Sequence, residues 1–283
     1  MSPAPRRRHG ARAAAAVACA LLLGGCTAGA AAQQPVPGAT ASGPAAPATD
    51  VRPVLTPGVH RLPVGGQESV VLVPEEPNGR LVVYAHGYGA DLRDIPDDEA
   101  FGGLAQGLVD AGYAVAASSA GGNAWGDAAS VDAHAVLAAT ARRLTGARDV
   151  YLVAESMGGL AGAQLVTGDR IEGLRAYAGL QPLCDLSSIY SWFPGSIDAV
   201  YGADAGAAVA ALSPVRLDAD VPVRLWASDA DTVVTRDRNA DVCAAQVLAA
   251  GGDARVVPVT GDHGHPSHYD LPGLLAFFDA ATP

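Results

Sequence analysis

From residue 69 onward, short apolar runs rich in Val, Leu and Ala alternate with longer stretches whose apolar positions recur every three or four residues. The short runs read as strands at Ser69–Val73, Leu81–Ala85, Ala114–Ser118, Asp149–Ala154, Leu174–Leu180, Pro222–Ala227 and Arg255–Val259. The longer ones read as helices at Asp98–Ala111, Ala128–Leu144, Met157–Thr167, Arg236–Ala250 and Leu271–Ala280. Leu81–Ala85 and Val150–Ala154 are continuously hydrophobic rather than alternating, as expected of strands covered on both faces. Such an order predicts an α/β fold, a parallel sheet with helices on both sides. Ser69–Val73 and Leu81–Ala85, joined by 74–79, read as a hairpin at the start of the sheet. Residues 181–219 break the alternation. They carry Tyr190, Trp192, Phe193, Tyr201 and several turn residues, the pattern of an inserted lid.

The N-terminus has a different character. Arg6, Arg7, Arg8 and Arg12 precede the apolar stretch Ala13–Leu23, which is too short to span a bilayer, and then Leu23-Gly24-Gly25-Cys26. That tetrapeptide resembles a bacterial lipobox, so residues 1–26 read as a lipoprotein-type signal with Cys26 as the acylated residue. A diacylglyceryl group supplies the two chains that stable anchoring requires. The expected location is the outer face of the cytoplasmic membrane; ordinary secretion after cleavage near Ala28-Gly29-Ala30 is the alternative. Residues 27–50, almost wholly Ala, Gly, Pro, Thr, Ser and Gln, cannot bury enough apolar surface to order themselves and read as a tether. Residues 51–283 are left as one domain with a sizeable core.

All 18 basic residues are arginine, and the leader holds four of them and no acid. The remainder carries 14 Arg against 29 Asp plus Glu, a net charge of −15 that disfavours nucleic acid and anionic headgroups. Outside the leader and Cys26 the cysteines are Cys184 and Cys243. In an exported domain two cysteines favour a disulfide, the alternative being two independent buried thiols.

Chemistry concentrates in three places. Ser156, in Ala154-Glu155-Ser156-Met157-Gly158, stands between the strand Asp149–Ala154 and a helix, with small residues two before and two after it. That arrangement puts a hydroxyl on a sharp turn at the positive end of a helix. A serine needs a base, and the base an orienting acid. After Pro222–Ala227 comes Ser228-Asp-Ala-Asp-Thr-Val-Val234, where Asp231 is the first choice of acid and Asp229 the second. After the last strand comes Gly261-Asp-His-Gly-His-Pro-Ser-His268, where His263 is the candidate base and His265 and His268 are the alternatives. The spacing of these three histidines, even with Asp262, is not a familiar zinc pattern, and no metal or other cofactor is expected. Two backbone N–H groups should receive the oxyanion, from Met157 and from Tyr88 in His86-Gly87-Tyr88-Gly89, with His86 supporting that loop. Trp125, in the glycine-rich segment after Ala114–Ser118, and Trp192 and Phe193 of the lid are the candidate substrate contacts; Trp125 as a loop anchor is the competing reading.

Together, His86-Gly87-Tyr88-Gly89, the turn around Ser156, Asp231-Thr-Val-Val and Gly261-Asp-His263-Gly resemble the α/β-hydrolase superfamily over about residues 65–282. Ala154 stands where that pattern usually has glycine. The resemblance implies a mostly parallel, roughly eight-stranded sheet and hydrolysis of a carboxylic ester or related acyl bond, as by a carboxylesterase acting on a small-molecule, lipid or polymer ester. An acyltransferase or serine peptidase on the same fold is the alternative, and a non-catalytic surface lipoprotein is the reading from another class.

Overall fold

The short apolar runs assemble into one eight-stranded sheet: β1 Gly58–Val64, β2 Gln67–Val73, β3 Arg80–Ala85, β4 Ala114–Ser118, β5 Asp149–Glu155, β6 Leu174–Leu180, β7 Val223–Ser228 and β8 Ala254–Val259. The computed structural model describes residues 55–90, 92, 95 and 101–282, so the signal, Cys26 and the tether lie outside the described residues. The strand order is β1-β2-β4-β3-β5-β6-β7-β8. β1–β2 and β2–β4 run antiparallel and every other pair runs parallel.

The expected hairpin is corrected at the antiparallel edge, where the structure also adds a strand the sequence reading lacked. β2 does not pair with β3: its neighbours are β1 and β4, with Ser69 opposite Ser118 and Leu72 opposite Val115. The hairpin is β1–β2, closed by Gly65-Gly66 at φ +59° and +81°, the left-handed pair that a two-residue turn between twisted strands requires. β1 escapes the apolar pattern because it is an edge strand with one neighbour. Most of its positions face solvent, and it tolerates Pro63 for that reason.

Alternation along the strands sorts the side chains into two cores. Val71, Leu81, Val83, Val150, Leu152, Ala154, Val223 and Leu225 face one side. There they meet α2 (Ala128–Thr145), α3 (Gly158–Thr167) and α6 (Ala240–Ala249). Val70, Leu72, Val82, Tyr84, Tyr151, Val153 and Trp226 face the other side, against α1 (Phe101–Asp110) and α7 (Leu271–Ala280). Continuous hydrophobicity in β3 and β5 thus reflects burial on both faces.

Between β6 and β7 the insertion folds into a 3-10 turn at Leu186–Ser188, α4 (Pro194–Tyr201), a second 3-10 turn at Gly202–Asp204, and α5 (Ala205–Ala211). Its base is fastened to α6 by the buried disulfide Cys184–Cys243, with Cα atoms 6.2 Å apart. Beside the bridge, Asn239 Oδ1 accepts the Cys184 and Asp185 N–H groups at 2.9 and 3.0 Å, and Arg238 pairs with Asp185 at 2.6 Å. Among the described residues no helix is long and apolar enough to cross a membrane.

Candidate active site

Ser156, Asp231 and His263 all lie just past the C-terminal ends of parallel strands, β5, β7 and β8. Ser156 directly follows β5 and has φ +46°. A left-handed conformation costs a residue with a side chain about 1–2 kcal/mol, so the surroundings must hold it. They do: the Ser156 N–H donates to Leu180 O at 3.0 Å, and its carbonyl accepts the Gly159 and Leu183 N–H groups at 2.9 and 2.8 Å. Gly158 lets α3 start against β3, because a Cβ there would lie 2.2 Å from Ala85 O. Ala154 replaces glycine without conflict. Across from it is Gly162, whose absent Cβ would sit 2.9 Å from the Ala154 methyl, so the small residue has moved to the helix.

His263 lies in the loop after β8. Its Nε2 is 2.9 Å from Ser156 Oγ, and its Nδ1 is 2.8 Å from Asp231 Oδ2. The Asp231 side chain is only 2% exposed, and its other oxygen accepts the Val233 and Val234 N–H groups at 2.9 and 2.8 Å. Both carboxylate oxygens are therefore engaged, and the rotamer is fixed. Asp229 points away into solvent, 86% exposed and paired with Arg236 at 3.0 Å. His265 is exposed and contacts Ser267. His268 is buried, with Nδ1 2.9 Å from His265 O, and burial lowers its pKa. His86 bridges the loops after β3 and β4, its ring nitrogens 2.8 Å from Gly87 O and 3.0 Å from Ser119 O.

The position of a Cβ on Gly87 would be 3.5 Å from Ser156 Cβ, which brings the loop after β3 directly alongside the serine. Among the described residues the N–H groups of Tyr88 and Met157 have no acceptor, leaving two donors next to Ser156 in sequence or in space. The Tyr88, Trp125 and Phe193 rings pack as a triangle, with centroids 4.6 to 5.4 Å apart. Trp125 is buried and its indole N–H donates to Ser196 Oγ at 2.9 Å, so it also anchors the insertion. Trp192 is 58% exposed and, among the described residues, outside that triangle. Among the described residues no group of three or more His, Cys, Asp or Glu is placed to hold a metal ion.

Three further residues hold the site together in ways the sequence reading did not assign to them. Asp262 accepts the Thr232 and His263 N–H groups, each at 2.8 Å, and these bonds hold its carboxyl below the usual range. Glu155 accepts the hydroxyls of Tyr84 and Tyr269, the latter at 2.9 Å. Gln181, just past β6, is buried at φ +44° and its Oε1 accepts the Gly264 N–H at 2.6 Å. Only Asp262, adjacent to the candidate base, offered a signal in the chain.

No protein-family model and no curated protein matches the sequence. Solved structures match by shape. An α/β serine hydrolase without a lid from Xanthomonas campestris gives a TM-score of 0.55 at 15% identity, over 81% of this chain and 95% of that one. Esterase 2 of Thermogutta terrifontis, in a form phosphoramylated by tabun, gives 0.56 at 15% over 81% and 96%. The fold is that of the α/β hydrolases. An acylaminoacyl peptidase from Pyrococcus horikoshii shares it, with a TM-score of 0.59 at 16% identity over 80% of this chain, which spans 42% of that longer one. At these identities the likeness is one of fold. Ser156, Asp231 and His263 follow β5, β7 and β8 in that chain order.

Proposed function

We propose that this chain is a serine hydrolase cleaving a carboxylic ester through an acyl-enzyme on Ser156. The observation that carries the reading is the unbroken line from Ser156 Oγ through His263 to Asp231, at 2.9 and 2.8 Å. Ser156 Oγ attacks the ester carbonyl while His263 Nε2 takes its proton, and Asp231 stabilises the resulting imidazolium. The oxyanion is received by the Met157 N–H at the N-terminus of α3 and the Tyr88 N–H in the loop after β3. The tetrahedral adduct collapses as His263 returns the proton to the leaving alcohol. Water, deprotonated by His263, then attacks the acyl carbon and releases acid and free serine. Trp125 and Phe193, with the Tyr88 ring, wall an apolar acyl or alcohol group, and Trp192 extends that surface. The setting is the exported, Cys26-anchored one expected from the N-terminus.

Labelling with a fluorophosphonate and turnover of aryl esters test it. Ser156→Ala should fold normally, take up no probe and lose on the order of 10⁵-fold or more in kcat. Unchanged turnover in that variant would refute the assignment. Amide substrates form the second reading, favoured by the likeness to an acylaminoacyl peptidase. Paired aryl ester and aryl amide assays separate the two.

A further inference from the structure

β6 pairs with β5 through Glu155 opposite Leu180, so the next residues, Ser156 and Gln181, leave the sheet side by side. Both are in the left-handed region, at φ +46° and +44°. Glycine would meet that backbone demand without strain. A glutamine in its place bears the backbone strain and brings a side chain with a contact of its own. The side chain is 2% exposed, and its Oε1 accepts the N–H of Gly264, the residue after His263, at 2.6 Å. Its backbone N–H is fixed on Trp226 O at 2.7 Å. Among the described residues its Nε2 is buried without a partner, an unfavourable position for an amide whose only other role would be to fill space.

The loop bearing His263 is thereby held from two sides. Asp262 fastens it to the turn after β7 by accepting the N–H of Thr232 at 2.8 Å and its hydroxyl at 3.0 Å. Gln181 fastens it to the strand end beside the nucleophile. We infer that Gln181 is a positioning residue, whose carboxamide oxygen sets the reach of His263 to Ser156 by holding Gly264. The inference rests on the serine-hydrolase reading given above. Without the clasp the imidazole keeps its acid partner but its Nε2 drifts from Oγ, so proton transfer slows while substrate affinity stays as it was.

The test compares the full chain with Gln181→Gly and Gln181→Glu for thermal melting, fluorophosphonate labelling of Ser156, and kcat and KM on an aryl ester. Glycine relieves the left-handed backbone but removes a buried side chain and its bond to Gly264, so Q181G stays folded and melts near or modestly below wild type. Its labelling rate and kcat fall on the order of 100-fold, the effect of misplacing a catalytic group by about 1 Å, with KM unchanged. Q181E returns an oxygen to the same place and recovers most of the loss. Q181G labelling at the wild-type rate overturns the inference, and so does Q181E as slow as Q181G. A Q181G that melts far below wild type, with labelling lost in step, overturns positioning in favour of a purely structural role. Wild-type protein that takes up no probe overturns the hydrolase reading itself, whatever the variants do.

Discussion

His134, on the inner face of α2, offers a measurement of burial that is independent of catalysis. The residue is 3% exposed, its Nδ1 has no partner among the described residues, and the His86 ring lies 6.5 Å away. Loss of hydration, and secondarily the proximity of His86, push its pKa from the ordinary 6.5 down to about 3. The folded protein therefore refuses a proton that the unfolded chain accepts. Stability is complete above pH 6.5 and is lost as pH falls through the window from 6.5 to about 3. Between pH 7 and pH 5 the unfolded state gains most of one proton at this site, which removes about 2 kcal/mol. Urea unfolding of wild type and His134→Leu at both pH values isolates the effect, because every other titrating group is common to the two. Wild type should lose about 2 kcal/mol more than the variant over that interval. Equal losses would refute the argument, since the histidine would then be titrating in the folded state.

Gly158→Ala would force a methyl within 2.2 Å of Ala85 O and 2.7 Å of Ala85 C, backbone atoms that cannot swing aside. The expected loss is roughly 1–3 kcal/mol together with probe labelling, and a wild-type melting temperature would argue against the close approach. Cys184 and Cys243 are separated by 59 residues, so replacing both by alanine should lower stability by about 4 kcal/mol on the chain-entropy account. Unfolding with and without reductant should show the same gap in wild type. His263→Ala should abolish turnover while His265→Ala stays within a few-fold of wild type; the reverse ranking would refute the choice of base.

Most strands and helices were legible because burial on both faces of a parallel sheet writes itself as unbroken apolar runs. Ala114–Ser118, Leu174–Leu180 and Leu271–Ala280 coincide with their elements end to end. The antiparallel edge was not legible: β1 is mostly exposed, and local apolar runs do not say which strand sits beside which. The line through Ser156, Asp231 and His263 was visible because each follows a strand and each side chain type has a distinctive chemistry. Asp229 and Asp231 could be separated only in space, where one faces solvent and the other accepts two backbone N–H groups. Gln181 left no trace, because a glutamine after a strand looks like any turn residue until its φ and its contact with Gly264 are known.

The disulfide at Cys184 stands one residue past Leu183, whose N–H donates to the Ser156 carbonyl at 2.8 Å, so the stretch beside the serine is tied covalently to α6. Beyond it the insertion still touches the site, because Phe193 packs on Tyr88 and Trp125 and Ser196 accepts the Trp125 indole N–H. An engineer seeking a new selectivity in this scaffold would therefore start at Phe193 and its aromatic neighbours and leave Cys184 and Cys243 untouched.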